Sequence, residues 1–257
     1  MSRLPLRRVA GALKRRLWLR RELRIYACTA EQVRHLPRAS HCSRDRWDDL
    51  RHCEQWSYEH LTREEYLAVT EDRRRAGGHH LYSLVEDGVL VHYGWVTYPQ
   101  ERAPDAALGL EFVPPPRSAA LWDYFTHPKA RGRGLYLRTL WQCLHDAVEV
   151  DGAAHAFIYV YADNVVSRRV IEKAGFEYVG SLVLERRFFR TRRYAISAGA
   201  PLEVRLLASG EPAETREHRG AMLGLEHDEK GENVVQPRND SARQDQLGPR
   251  RSGHEAV

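Results

Sequence analysis

The sequence predicts a mixed α/β domain, and three local patterns support this prediction. Two strand-like runs, His80–Glu86 and Val89–Tyr98, are joined by Asp87-Gly88, a dipeptide that supplies the positive φ angles of a tight hairpin. Directly after a further strand, apolar residues recur at helical spacing from Leu137 to Val148. A second strand-then-helix unit follows within residues 154–173.

Length and composition restrict the class of protein. The 257 residues have room for one domain of ordinary size with tails, and 29% of them are charged. No stretch approaches the roughly 18 unbroken apolar residues of a membrane span, and no secretory signal is recognisable, so we expect a soluble, cytoplasmic protein. The four cysteines lack C-x-x-C spacing, which fits reduced thiols in that compartment. They are Cys28, Cys42, Cys53 and Cys143.

Positive charge is concentrated in residues 1–24, which carry nine Arg or Lys against the single acid Glu22. This segment has a net charge of +8 while the whole chain has +5, so the remainder sums to −3 and gives no general case for nucleic-acid binding. Helical spacing of its apolar residues predicts a basic amphipathic helix that packs on the domain, stays a solvated arm, contacts an anionic membrane surface, or binds nucleic acid. These residues are Leu6, Val9, Leu13 and Leu17.

The folded domain is expected to span residues 25–196. Its first strand is predicted at Leu23–Cys28, which overlaps that boundary. Thr62 and Glu65 have the spacing of a capping box, and they predict a helix that runs to about Arg74.

The remaining boundaries are set by proline and by loss of apolar residues. Three consecutive prolines at 114–116 interrupt the chain before the strand Ala119–Thr126. Beyond the domain, Glu, Asp, Arg, Gly, Pro and Gln dominate, so we expect residues 197–257 to form a mostly disordered polar tail.

An Arg- and Gly-rich loop at residues 131–136, R-G-R-G-L-Y, connects this strand to the apolar helix. A glycine-rich turn at a helix start exposes free backbone N–H groups at the positive end of the helix dipole. Arg131 and Arg133 add charge, so the loop suits a pyrophosphate; the alternative is a surface loop without a ligand. The chain contains neither the Walker string G-x-x-x-x-G-K-[ST] nor the dinucleotide string G-x-G-x-x-G.

A second motif follows about 30 residues later. The string Asn164–Phe176 reads N-V-V-S-R-R-V-I-E-K-A-G-F and predicts a short helix closed by Gly175 in the left-handed conformation. Together, the two strings resemble the acyl-CoA-binding core of the GCN5-related N-acetyltransferase (GNAT) superfamily over residues 119–180. The clearest departure in the loop is Tyr136, where the family usually has a small residue.

The resemblance implies a mixed, mostly antiparallel central sheet with helices on both faces. Two splayed strands would hold the pantetheine arm of acetyl-CoA or another acyl-CoA, and no metal is expected. The strand before the loop would bind the pantetheine arm, and the amides of the loop would bind the pyrophosphate. Two polar residues of the later helix would lie beside the arm. The cofactor-binding residues implied are Tyr124, Phe125, Thr126, His127, Arg131, Gly132, Arg133, Gly134, Leu135, Tyr136, Asn164 and Ser167.

The resemblance also implies direct transfer of an acetyl or other short acyl group to a primary amine on a small molecule or peptide. The tyrosine that usually protonates the departing thiolate is replaced by Ile171, which we expect to face the thioester. Tyr161 at the end of the preceding strand, or Tyr159, is the alternative acid. Asn164 is expected beside the thioester, and it equally fits a helix N-cap.

For the base, the resemblance draws attention to carboxylates near the splayed strands. Asp123 is the first candidate, unless it pairs with an arginine such as Arg131. Glu111 and His127 are weaker candidates, because the family usually uses the position of His127 structurally. Cys143 is expected to pack in the core rather than to act as a nucleophile.

The region before the capping box is harder to interpret. His41-Cys42 and His52-Cys53 suggest zinc, but adjacent ligands point apart on a strand, so we predict no metal site. The aromatic and acidic stretch Asp45–Glu59, with Trp47 and Trp56, lies where the family builds its acceptor site; packing of a loop onto the sheet is the alternative.

Two other functions remain open at this point. One is an acyl-CoA-binding protein without catalysis, which Ile171 and Tyr136 suggest. The other is an acyltransferase at a membrane surface that acts on cell-envelope or lipid-linked substrates, with residues 1–24 as its peripheral membrane contact.

Overall fold

The computed structural model describes residues 18–58, 61–188, 190–199 and 202–207. The strands in these ranges are β1 (Trp18–Thr29), β2 (Ser43–Arg44), β3 (His79–Glu86), β4 (Val89–Thr97), β5 (Ala103–Asp105), β6 (Leu110–Phe112), β7 (Ser118–Thr126), β8 (His155–Tyr161), β9 (Glu177–Arg187), β10 (Arg190–Ser197) and β11 (Val204–Leu206). The α-helices are α1 (Ala30–Val33), α2 (Arg63–Ala76), α3 (Leu135–Glu149) and α4 (Val165–Lys173), and short 3-10 helices lie at Trp47–His52 and Pro128–Ala130. Among these, no helix has the length and apolar content to cross a membrane.

Eight strands form one sheet in the order β10-β9-β1-β8-β7-β4-β3-β2. Every neighbouring pair runs antiparallel except β7 and β8, which run parallel. A smaller antiparallel sheet has the order β11-β6-β5. The predicted mixed, mostly antiparallel sheet is therefore confirmed.

Both faces of the large sheet are covered by other elements. Successive residues of a strand point to opposite faces, so neighbouring residues pack in different clusters. Tyr26 packs in the cluster beneath α3 and α4, whereas Ile25 packs beneath the smaller sheet. Tyr82 joins the first cluster, whereas Leu81 joins an aromatic cluster beneath α2. All four cysteines are free and buried, and Cys143 lies in the first cluster as the packing prediction requires.

The predicted turns and helix ends are confirmed. Thr62 Oγ1 accepts a hydrogen bond from the Glu65 amide at 3.3 Å, and a Glu65 carboxylate oxygen accepts one from the Thr62 amide at 2.8 Å. The hairpin turn has φ angles of +50° at Asp87 and +76° at Gly88. Gly175 closes α4 with φ of +102°. These features depend on neighbouring residues alone, which explains why the sequence reveals them.

Strand β1 begins at Trp18, so it includes residues that the sequence analysis placed in the N-terminal segment. It lies between β8 and β9 and pairs with both, so both of its backbone edges are satisfied. Arg20 and Arg24 each pair with Glu22, at 2.9 and 3.2 Å. The rest of the predicted basic helix, residues 1–17, lies outside the described residues.

The beginning of the predicted tail is ordered. β11 pairs with β6 of the smaller sheet, and Leu202 and Val204 pack on the cluster beneath that sheet. A three-residue strand has too few residues to show periodicity, so the pattern of the sequence does not predict it. Residues 208–257, the remainder of the predicted tail, lie outside the described residues.

Candidate functional site

A cavity opens where β7 and β8 separate. The two strands pair only between Ser118–Leu121 and His155–Ile158, and no pairing continues beyond these residues. The cavity has a volume of about 720 Å³ and is lined by the unpaired strand ends, the loop before α3, and parts of α3 and α4. Its volume is in the range of small-ligand sites, about 300–1,000 Å³. The position of the cavity matches the splayed strands that the sequence implies.

Strand β7 contains a β-bulge at the point where it leaves β8. Tyr93 of β4 lies opposite Phe125, and Trp95 lies opposite Trp122, so β7 has one more residue than β4 in this interval. Asp123, within the bulge, has a φ angle of +50°. A non-glycine residue rarely adopts this left-handed conformation, so other contacts must hold it.

Gly94, opposite the bulge, leaves room for the ring of Tyr124. A Cβ atom at Gly94 would lie 2.1 and 2.2 Å from two carbons of that ring. The Tyr124 ring packs against Tyr136 with 5.0 Å between centroids, and burial raises the pKa of the Tyr124 phenol well above its ordinary value. The Tyr124 ring therefore packs between β7 and α3.

The Asp123 carboxylate is shielded from solvent, since the side chain is only 1% exposed although the residue lines the cavity. Arg73 of α2 donates to its Oδ2 atom at 2.9 Å, and the hydroxyl of Ser57 donates to its Oδ1 atom. Asp123 thus pairs with an arginine, as the alternative interpretation expected, but the arginine is Arg73 and not Arg131. Asp123 does not offer a free carboxylate to a substrate.

The loop before α3 presents main chain to the cavity. Gly132 and Gly134 have φ angles of +78° and +72°, which favour glycine, and among the described residues no atom beyond their chain neighbours lies within 4 Å of where their Cβ atoms would be. Gly134 is the N-cap residue and has no side chain to cap the helix. The Arg138 amide bonds to the Gly134 carbonyl at 3.2 Å, so the amides before it have no partner within the helix. These amides form a ready site for an anion.

The basic side chains around this loop differ in whether a carboxylate already pairs with them. Arg133 donates two hydrogen bonds of 2.7 Å to Glu86, and these bonds lower the pKa of that carboxyl group. Arg131 donates to the carbonyl of Thr126 at 3.2 Å. Arg131 and Lys173 line the cavity and have no carboxylate partner within the described part of the chain. They provide the positive charge that is available to a ligand.

Helix α4 borders the cavity through its first turns. The side chain of Asn164 accepts a hydrogen bond from the Ser167 amide at 3.0 Å, so the N-cap interpretation is confirmed. The hydroxyls of Tyr136 and Ser167 lie 3.1 Å apart and connect α3 to α4. Asn164, Ser167 and Tyr136 all line the cavity. The unusual Tyr136 thus occupies space at the cavity that a small residue would leave empty.

The last residues of β7 hold the strand end in place. Phe125 stacks on Tyr93 with 5.7 Å between centroids, and the Thr126 hydroxyl lies 2.8 Å from Nδ1 of His92. Burial lowers the pKa of His92 to about 3, so it is neutral at physiological pH. His127 is buried, and its Nδ1 atom accepts a hydrogen bond from the Lys129 amide at 3.3 Å. The His127 side chain therefore caps the short 3-10 helix Pro128–Ala130.

The two tyrosines of β8 differ in their partners. The Tyr161 hydroxyl donates to Oδ2 of buried Asp105 at 3.1 Å, and burial raises the pKa of this phenol. The Tyr159 hydroxyl is buried and has no hydrogen-bond partner within the described residues. Its ring packs edge-on against Phe112, and burial raises its pKa as well. Although both residues line the cavity, neither is a ready proton donor, because an acid needs a pKa near the working pH.

Two positions differ from the sequence predictions. Ile171 does not face the cavity: it is fully buried in the core beneath α3 and α4, and Ser167 and Val170 of the same helix line the cavity instead. Glu111 lies on β6 in the smaller sheet, where it is buried and paired with Arg102. Glu111 does not line the cavity, so it is no longer a candidate base.

The aromatic stretch before α2 both packs and contributes to the cavity. Trp47 packs on Trp95, and Trp56 stacks on Tyr66, with centroid distances of 5.4 and 5.8 Å. Ser57 and Tyr58, next in the chain, line the cavity. The last residue of the stretch, Glu59, lies outside the described residues.

The two His-Cys pairs make separate contacts. His41 Nε2 lies 3.1 Å from the Thr139 hydroxyl, and His52 Nδ1 lies 3.0 Å from the Gly88 carbonyl. Within the described ranges, no group of three or more His, Cys, Asp or Glu residues is arranged to hold a metal ion.

Sequence reasoning did not identify Arg73, Ser57 or Gly94. Arg73 is one of three consecutive arginines, and nothing in the sequence distinguishes it from its exposed neighbours. Gly94 did carry a signal, because an isolated glycine inside a predicted strand often marks a bulge or a close approach.

The chain resembles known proteins in its sequence and in its fold. The sequence profile of the acetyltransferase (GNAT) family matches residues 44–176. No protein of curated function matches the chain. Among solved structures, a GCN5-related N-acetyltransferase from Sphaerobacter thermophilus is 15% identical with a TM-score of 0.44; the alignment covers 75% of this chain and 57% of that one.

Two further structures are similar. A GNAT-family acetyltransferase from Colwellia psychrerythraea is 13% identical with a TM-score of 0.44, over 69% of this chain and 57% of that one. The enzyme AAC(6')-Iy, in complex with a CoA-containing bisubstrate analogue, is 19% identical with a TM-score of 0.41, over 54% of this chain and 92% of that one. The chain spans less than two thirds of the length of the Sphaerobacter and Colwellia proteins.

Proposed function

Because this chain belongs to the acetyltransferase (GNAT) family, we propose that it transfers an acetyl or other short acyl group from acyl-CoA to a primary amine. The observation that carries the proposal is the cavity between β7 and β8, which joins the Arg- and Gly-rich loop at the start of α3. One continuous space thus connects an anion site to the point where the two strands separate.

The pyrophosphate of acyl-CoA binds at the loop. The main-chain amides of Gly132–Tyr136 surround the phosphates, and the two glycines let them approach without a side chain between. Arg131 adds positive charge. The pantetheine arm then enters between the strands, along the main chain of Tyr124–Thr126 and beside Asn164 and Ser167, whereas His127, which was also predicted to bind it, does not line the cavity.

The reaction is direct attack of the neutral amine on the thioester carbonyl carbon. A tetrahedral intermediate forms, the C–S bond breaks, and coenzyme A leaves as a thiolate. The oxyanion needs a hydrogen-bond donor, and the bulged main chain of β7 is the nearest backbone to the separation point. Cys143 takes no part, since it is fully buried and burial raises the pKa of its thiol well above the ordinary value.

Proton transfer is assigned to solvent. Asp123 and Tyr161, the predicted base and acid, are engaged with Arg73 and Asp105, and Ile171 is in the core. Water in the open part of the cavity accepts the amine proton, and the thiolate is stable enough to leave without a dedicated acid because a thiol has a pKa of about 8.5. Asn164 acts by holding the start of α4.

Replacing Tyr161 with Phe tests this assignment. We expect acyl transfer within about twofold of wild type, because general acid catalysis, typically worth about 10²–10⁴-fold, does not depend on this hydroxyl. We also expect the free energy of unfolding to fall by about 1 kcal/mol, because Asp105 loses a donor. Tyr159→Phe is the matched control: it removes a hydroxyl without a partner within the described residues, so its stability should not fall. A hundredfold loss of rate in Tyr161→Phe with intact coenzyme A binding would identify Tyr161 as the acid.

A second candidate function is binding of acyl-CoA without catalysis. One observation favours it: the candidate acid and base side chains on β7 and β8 already have structural partners or are buried. A third possibility, an enzyme on a membrane surface, depends on residues 1–17, which lie outside the described residues.

The experiment that separates these functions is a screen of primary amines with acetyl-CoA and longer acyl-CoA thioesters. Release of free thiol is followed spectrophotometrically, and the acylated amine is identified by mass spectrometry. The enzyme releases thiol in proportion to added amine and yields one amide per thiol. Saturable coenzyme A binding with no thiol release for any amine would favour the non-catalytic function. Vesicle co-sedimentation with and without residues 1–17 tests the membrane function.

A further inference from the structure

We infer that Arg73 is a positioning residue: together with Ser57 it holds the Asp123 carboxylate, and so fixes the β7 bulge in the shape that faces the acyl group. This inference rests on the proposed function for the identity of the group in the cavity. It assigns Asp123 the role of an anchor for the main chain rather than that of the general base.

The first observation is the complete burial of an arginine in α2. Arg73 is 0% exposed, and its guanidinium packs against a pair of stacked indole rings, 4.6 Å from the centroid of Trp95 and 4.4 Å from that of Trp122. Its Nη1 atom bonds to Asp123 Oδ2 at 2.9 Å, and its Nη2 atom bonds to the Tyr58 hydroxyl at 3.4 Å. A buried guanidinium that contacts two aromatic rings and bonds to two oxygens has little room to shift, so its position restricts that of the carboxylate.

The second observation is a chain of hydrogen bonds on the other carboxylate oxygen. The Tyr93 hydroxyl donates to Ser57 Oγ at 3.1 Å, and Ser57 Oγ donates to Asp123 Oδ1. The Ser57 amide donates to the Tyr93 hydroxyl at 2.9 Å. Asp123 is therefore held from α2, from β4 and from the segment before α2 at once.

The third observation is the conformation that these contacts hold. Asp123 has a φ angle of +50°, and strand β7 has one extra residue at this point relative to β4. Such a conformation persists only when the surroundings determine it. Since the side chain is 1% exposed and the residue lines the cavity, the main chain is the part of Asp123 that faces the ligand.

These contacts also make Asp123 unsuitable as a base. To accept a proton, the carboxylate would have to give up a buried ion pair and leave the Arg73 charge without a partner. Both carboxylate oxygens are already engaged, Oδ2 with Arg73 and Oδ1 with the Ser57 hydroxyl, and the side chain is 1% exposed. Anchoring requires the shape of the side chain, whereas base catalysis requires its charge.

Asp123→Asn separates shape from charge. Asn tolerates a positive φ angle and keeps an oxygen that accepts from Arg73. We expect kcat within about tenfold of wild type and an unchanged shape of the pH–rate profile, because no base has been removed. A loss above about a hundredfold, with loss of the acidic limb of the profile and intact acyl-CoA binding, would overturn the inference and identify Asp123 as the base.

A paired variant tests the role of Arg73 directly. Arg73→Met alone leaves the buried carboxylate unpaired and should lower the melting temperature by about 10 °C, so it is combined with Asp123→Asn to remove both charges. In the double variant we expect kcat to fall by about tenfold or more and the dissociation constant of coenzyme A to rise by a clearly smaller factor, because the pyrophosphate site lies on other elements and only the end of the pantetheine arm meets the bulge. Arg74→Met is the matched control, since Arg74 is an exposed neighbour that pairs only weakly with Glu71 on the surface.

A readout that does not depend on catalysis accompanies these assays. Hydrogen exchange of the backbone amides at residues 122–126 should become faster in the double variant, and should stay unchanged in Arg74→Met. Unchanged exchange and unchanged kcat in the double variant would overturn the inference. Failure of the proposed function has a different signature: wild-type protein would release no thiol, while the exchange experiment would still report whether Arg73 holds the bulge.

Discussion

Replacing Gly134 with Val is expected to weaken coenzyme A binding by more than about tenfold, which corresponds to at least about 1.4 kcal/mol. Gly134 has a φ angle of +72° at the N-cap of α3, and its Cβ position is open space at the edge of the cavity. A valine side chain would fill the space that the phosphates need, and its backbone would leave the left-handed conformation that aims the amides at them. Isothermal titration calorimetry with coenzyme A measures the change.

Gly152→Val is the matched control for this variant. Gly152 has a similar φ angle of +78° and likewise no atom within 4 Å of its Cβ position, but it does not line the cavity. Both variants therefore carry a comparable backbone penalty and should lose similar thermal stability, whereas only Gly134→Val should lose affinity. Equal coenzyme A affinity in folded Gly134→Val and wild-type protein contradicts a pyrophosphate site at this loop.

Replacing Gly94 with Ala is expected to lower the free energy of unfolding by about 1–3 kcal/mol, the usual range for overpacking a filled core. The new methyl group would lie 2.1 Å from a ring carbon of Tyr124, so the ring would have to give up its packing against Tyr136 to make room. Gly94 is not at a positive φ angle, so the substitution adds no backbone strain and the clash is the main effect. Chemical denaturation followed by fluorescence measures the loss.

Rescue by a second substitution shows whether the Tyr124 ring is the cause. In a Tyr124→Leu background the ring carbons that approach position 94 are absent, so Gly94→Ala should cost much less there than in wild type. We expect a coupling free energy of about 1 kcal/mol or more between the two positions. A similar loss in both backgrounds would mean that Gly94 serves some purpose other than room for this ring.

Features that depend on neighbouring residues were predicted from the sequence. The Asp87-Gly88 hairpin, the Thr62 capping box and the Gly175 helix end all appear as expected, because each depends on the preferences of a few adjacent residues. The loop before α3 belongs to the same group, since a glycine-rich turn followed by an amphipathic helix is a local pattern.

Features that depend on distant contacts were not predicted. Asp123 was recognised as a residue near the cavity, but its partner Arg73 is 50 residues away and looks like any other helical arginine in the sequence. The position of β1 between β8 and β9 was not predicted either. The alternation of residues along a strand shows which side chains share a face, but it does not show which strands are its neighbours. Ile171 was expected to face the thioester because of its place in the motif, but the rotation of α4 places Ser167 and Val170 at the cavity and Ile171 in the core.

A crystal structure of the protein with bound coenzyme A would locate the ligand. We expect pyrophosphate oxygens within hydrogen-bond distance, about 2.7–3.2 Å, of main-chain nitrogens of Gly132–Tyr136. We also expect the pantetheine arm to pass between β7 and β8, with its sulfur beside the bulge at Asp123. Coenzyme A bound elsewhere, with the space between the two strands empty, would show that the cavity is not the acyl-CoA site.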